Sequence, residues 1–169
     1  MRLVPIQIVL VGVLLEVCAR LLDPLGISYF PETARYMETL VLEEGIGYRN
    51  RPGLEGEFYG VPVRINAVGL RDREVSAKGP GEFRILALGD SMPFGIGVSG
   101  AEAYPHQLET LLGARHAGRR FRALNMGVMS YNTEQELAQL RTLGWSLQPD
   151  VVTLLFSKND IEPKLWMYN

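Results

Sequence analysis

The 169-residue chain contains one cysteine, Cys18, and only two histidines, His106 and His116. A single cysteine excludes an intrachain disulfide and any cysteine-based zinc site. Two histidines in unsuited positions make no metal cluster, so neither a metal nor a cofactor is expected. The chain has no basic run, and its net charge is only -2. Nucleic acid is therefore not an expected partner. Internal repeats and low-complexity tracts are also missing.

Long apolar runs are not missing. Residues 3–22 are mostly aliphatic, close to the roughly 20 residues a helix needs to cross a bilayer. Arg2 and the α-amine precede the run, which favours a cytoplasmic N-terminus with the rest of the chain on the far side. A cleaved signal peptide is the rival reading, but no small-x-small site follows the apolar stretch. Val17 and Glu16 also make Cys18 a poor lipoprotein site. An uncleaved anchor over 1–22 is expected. Glu16 and Arg20 interrupt the run at i, i+4 spacing and share one helix face. They form either a snorkelling ion pair or a contact with a partner helix, because ionisable groups within spans usually face protein. The apolar core from Ile8 to Leu15 is short, which tilts the reading toward a partner subunit.

Residues 23–80 read as a Gly- and Pro-bearing connector with a short helix near Glu32 to Glu43. Alternation from Glu57 to Ile65, with Val61, Val63 and Ile65 on one face, predicts a small hairpin or edge strand. Residues 81–169 then follow a β, α, β, α, β rhythm. Strands are expected at Arg84 to Leu88, Phe121 to Asn125 and Asp150 to Phe156, the last covered on both faces. The first helix is expected from Ala101 to Gly113, with Leu108, Leu111 and Leu112 inward and Gly113 as its stop. The second runs from Thr133 to Gly144, opened by a Thr133–Glu136 capping box. Such alternation implies an α/β fold with a parallel sheet and right-handed crossovers.

Each predicted strand ends in polar residues. Gly89-Asp90-Ser91 follows the first, Asn125-Met126-Gly127 the second, and Asn159-Asp160 the third. Open α/β sheets place their ligands at these carboxyl ends. Taken singly the pieces are ordinary: Asp90 or Ser91 can cap a helix, and asparagines favour turns. Taken in order they offer a serine hydroxyl and three donors for a tetrahedral oxyanion: the Ser91 and Gly127 amides and the Asn159 side chain.

Arg84–Ser91 (RILALGDS), Asn125–Gly127 and Asn159–Asp160 resemble the first three sequence blocks of the SGNH (GDSL) hydrolases. Ile65–Asp72 (INAVGLRD) and Tyr131–Leu137 (YNTEQEL) resemble the membrane-anchored bacterial branch of that family. The likeness spans residues 48–163. It implies a flavodoxin-like three-layer α/β/α sandwich that hydrolyses or transfers acyl esters without metal. Ser91 would be the nucleophile, and Gly127 and Asn159 oxyanion donors. The resemblance also implies a bacterial inner-membrane protein with its soluble part in the periplasm.

Two family features have no match. The Asp-x-x-His block that supplies the base and its orienter is missing, and Ser157 replaces the glycine that opens the third block. His106, on the helix after Ser91, and His116, in a polar stretch, do not belong at the strand ends. Asp160 is a runner-up base with a structural role in the turn. Without a base, serine is a poor nucleophile near neutral pH. The family sheet has five strands and this chain supplies three, which leaves the third with an open side. Either the sheet and the histidine continue past Asn169, or a partner covers that side. The expected function is a non-catalytic accessory or structural subunit of a membrane complex, whether respiratory, photosynthetic or envelope-building. The alternative is a serine esterase or O-acyltransferase acting on envelope glycans or lipids. The aromatic tail Trp166-Met167-Tyr168 would suit either a partner contact or an interfacial end.

Overall fold

The computed structural model describes residues 3–23, 26 and 28–161, leaving aside the side chains of Leu3 and Asn159. The chain divides into two compact units, Met1–Arg35 and Tyr36–Asn169. The first unit holds α1 (Leu3–Leu22). Its Val4–Leu22 stretch is long and apolar enough to cross a membrane, and none of it is buried within the protein. Glu16 and Arg20 form the expected i, i+4 ion pair at 2.6 Å, both exposed.

α2 (Tyr29–Met37) begins in the first unit and ends in the second. It is shorter than the helix expected to Glu43, because residues 41–49 form a hairpin instead. β1 (Val41–Glu43) pairs antiparallel with β2 (Gly47–Arg49). β3 (Glu55–Phe58) and β4 (Val61–Arg64) form a second hairpin, within the region where alternation predicts one. Its two turn residues, Tyr59 and Gly60, both have positive φ (55° and 71°), the turn whose twist matches the flanking strands.

The α/β part follows. β5 (Glu82–Gly89) leads into the one-turn α3 (Ser91–Phe94). After a 3-10 turn, Gly100–Glu102, α4 (Tyr104–Arg115) runs through Gly113 instead of stopping there. Leu111, expected inward, is exposed. β6 (Arg120–Asn125) precedes α5 (Thr133–Thr142), and β7 (Val151–Leu155) comes last. The cap of α5 is Asn132, whose side chain accepts from the Gln135 amide. The Thr133–Glu136 box does not form: with Asn132 as cap, Glu136 sits one residue too late and turns inward.

β6 and β7 both pair parallel with β5, giving the order β6-β5-β7. Leu86 and Leu88 of β5 pack with Leu124, Met126, Leu70 and Leu147 in one buried cluster. A second cluster joins Tyr36, Tyr48, Phe58, Val63 and Ile65 to Phe94, Val128 and Tyr131. The residues read as connector are thus a wall of the core beside α3. The outer edge of β6 is blunted by carboxylates: the Ala123 amide donates to Glu109 and the Asn125 amide to Asp72. β7 differs from the doubly covered strand expected. Val151, Leu154 and Leu155 are 37–47% exposed among the described residues.

Candidate functional site at the strand ends

Gly89 closes β5 with φ 146°. A Cβ there would stand 2.9 Å from the Pro93 ring and 3.2 Å from the Leu155 carbonyl oxygen, so the turn requires glycine. Asp90 caps α3 by accepting the Met92 amide at 2.9 Å. Arg71 fastens the other end of that turn. Its buried guanidinium donates to the carbonyls of Phe94, Gly95 and Val98 and lies 4.9 Å over the Phe94 ring. Ser91 is therefore held at the carboxyl end of the central strand on a braced turn. It is partly exposed, and its hydroxyl has no hydrogen-bond partner among the described residues.

Gly127 is buried, and its amide donates to Asn125 Oδ1 at 3.0 Å. A Cβ at 127 would lie 2.7 Å from Phe94 Cα, so this glycine is required by its close approach to α3. Asn125 also donates to Pro93 O at 2.7 Å, tying the end of β6 to the serine turn. A substrate oxyanion at Gly127 would have to displace the Asn125 bond. Asn159 lies in the 3-10 turn Lys158–Ile161. Its side chain, and the Trp166-Met167-Tyr168 tail, lie outside the described residues.

The turn after β7 meets the serine turn through Ser157, whose hydroxyl donates to Asp90 Oδ2 at 2.7 Å. Asp160 accepts the Ser157 amide. Beside Asp160 stands Glu136 of α5, only 1% exposed. Burial, then the neighbouring Asp160 and Asp90, push the Glu136 carboxyl up to about 8. These carboxyls offer no metal centre: among the described residues no group of three or more His, Cys, Asp or Glu is arranged to hold an ion.

Neither histidine reaches this site as a base. His106 Nδ1 faces the Gly100 carbonyl, and Nε2 lies 3.1 Å from Asp72 Oδ1. Both ring nitrogens face acceptors. The Asp72 hydrogen bond raises the His106 pKa above its ordinary value, despite burial. Burial alone would lift the Asp72 carboxyl, but bonds from His106, Arg122 and the Asn125 amide outweigh it and hold it low. The outcome is an imidazolium–carboxylate pair with no lone pair left to take a proton. It stands at the outer edge of β6, beside a cleft of about 450 Å³ that neither Ser91 nor Gly127 lines. His116 is exposed and packs near Phe121, which pairs with Phe83 at the start of β5. Six residues of strand separate Phe83 from Gly89, roughly 20 Å.

No protein-family model matches the chain, and no curated protein matches it. Two groups are hidden from sequence reasoning. Asp72 and His106 are far apart in sequence, so nothing local marks them as partners. Glu136 has the spacing of a cap residue. Its placement on the helix face of Leu140 and Leu143 (i, i+4, i+7) is the signal that marks it as inward.

Proposed function

We propose that this is a membrane-anchored, SGNH-hydrolase-like protein that acts non-catalytically, as an accessory or structural subunit of a membrane protein complex. The observation that carries the reading is the state of the histidines. Ser91 presents a hydroxyl with no partner among the described residues, while both nitrogens of His106 face acceptors and His116 stands at the other end of the sheet. Oxyanion donors without a base retain only a small part of a triad's rate enhancement. The strand order supports the family likeness. Counted from β5, it is second-first-third, the start of the flavodoxin-like order, and Ser91 and Asp160 flank the crevice between first and third strands where such sheets bind ligands. The open face of β7 supports a partner, as do Glu16 and Arg20 within the apolar helix. Arg2 ahead of α1 supports a bacterial inner-membrane anchor with the α/β unit in the periplasm.

The competing reading is a serine esterase or O-acyltransferase on envelope glycans or lipids, with its aspartate and histidine beyond residue 169. The unpartnered Ser91 hydroxyl favours it. Fluorophosphonate labelling of the protein purified from its native membrane decides between them. An unlabelled Ser91 in protein that migrates within a larger complex is expected. Stoichiometric labelling of Ser91 would overturn the subunit reading.

A further inference from the structure

Glu136 and Asp160 are the least compensated groups in the α/β unit. They are 1% and 5% exposed, and among the described residues neither Glu136 carboxyl oxygen nor Asp160 Oδ1 has a donor. Desolvated carboxylates without a donor are costly, and two side by side cannot both stay ionised. Among the described residues no cation answers them. From the turn after β7 the group facing Glu136 is Asp160, and from the serine turn it is Asp90. Lys158, on the same 3-10 turn, is exposed, as are Glu134 and Arg141 of α5. At the far end of β5, Arg84 is spent on Glu82, Leu147 O and Ser76 O. What satisfies the pair is a single proton, which turns one acceptor into a donor.

We propose that Glu136 is a positioning residue, kept protonated to donate to Asp160, and that this shared proton latches the turn after β7 to the serine turn. The connections run in one line. Glu136 holds Asp160, Asp160 accepts the Ser157 amide, the Ser157 hydroxyl donates to Asp90, and Asp90 caps α3 at Ser91. The latch bonds α5 to the turns that follow β5 and β7. Its release is a pH event. Glu136 titrates near 8, so above that value a second buried charge pushes the Lys158–Ile161 turn away from α5. Between the unfolded carboxyl value and 8 the folded state holds a proton that the unfolded chain has lost. Stability from this group is therefore full below the unfolded value and falls as pH rises to 8.

The inference needs neither an active Ser91 nor a partner, so it stands or falls separately from the function proposed above. The test is a carbon-13 NMR titration of glutamate carboxyls in the full chain in nanodiscs, for wild type, E136Q and D160N. One carboxyl titrating near 8 is expected in wild type, absent in E136Q and shifted down in D160N, where an amide donor replaces the second acid. Hydrogen exchange of residues 157–161, corrected for intrinsic rates, is expected to rise at least tenfold between pH 6.5 and 9 in wild type. In E136Q, whose amide donates at any pH, it stays flat. Glutamates that all titrate below 6, or an equal exchange response in E136Q, would overturn the latch.

Discussion

Two residues that look catalytic are consumed by structure, and His106 is the clearer case. Its proton stabilises Asp72, a carboxylate with no exposed side-chain surface. Removing it leaves a buried charge with one donor fewer, at a cost of about 1–3 kcal/mol. The folded pKa of His106 is raised, so this stabilisation is complete below the unfolded histidine value, near 6.5. It is lost as pH rises through the higher folded value. H106A is therefore expected to lose most stability relative to wild type between about pH 5 and 6.5, and least once the pH exceeds the raised folded value. Urea unfolding across that range measures it, and a gap that widens with pH would show the imidazole to be neutral. Gly127 is the second case. G127A forces a Cβ into the backbone of α3, which cannot move without disturbing the Arg71 bonds, and about 3 kcal/mol or more is expected. Thermal unfolding with S91A as reference reads this. The serine, whose hydroxyl has no partner among the described residues, should cost under about 0.5 kcal/mol.

At the scale of elements, the strands were the readable part. Apolar runs such as Arg84 to Leu88, closed by glycine or asparagine, announce buried strands and put Ser91 at a strand end without any knowledge of tertiary contacts. The β1–β2 hairpin was not readable, because three-residue strands carry too little alternation and draw their stability from packing of Tyr48 on Tyr131, far along the chain. The start of α5 shows how one residue's shift changes the chemistry. Thr133 and Glu136 satisfy the spacing of a capping box, but Asn132, one residue earlier, is the better cap and takes the position. N132A is expected to cost about 1 kcal/mol. Thr133 behaves oppositely: its hydroxyl is buried without a partner. T133V keeps the shape and removes the orphaned hydroxyl, so it should be neutral or stabilising. Paired denaturation curves for the two variants test the assignment, and the reverse ranking would restore the box.

The whole α/β unit is asymmetric about β5, and that asymmetry bears most directly on what the protein does. On the β6 side the Ala123 and Asn125 amides meet carboxylates, so Glu109 and Asp72 blunt that edge against further pairing. On the β7 side Leu154 is 47% exposed and Phe156 61%. One edge is thus finished by the chain's own charged side chains while the other presents aliphatic and aromatic surface. A protein sealed at one edge and open at the other has a direction in which it can be covered. Replacing an exposed apolar side chain by a long cation barely perturbs the folded monomer, but it burdens any surface that must exclude water there. L154K is therefore expected to change unfolding free energy by less than about 0.5 kcal/mol while lowering recovery of the protein in the membrane complex proposed above at least tenfold. Blue-native electrophoresis beside the denaturation curve separates the two effects. Full recovery of the complex with L154K would mean that the open side of β7 is not where a partner sits, and the subunit reading would then rest on α1 and its Glu16–Arg20 pair alone.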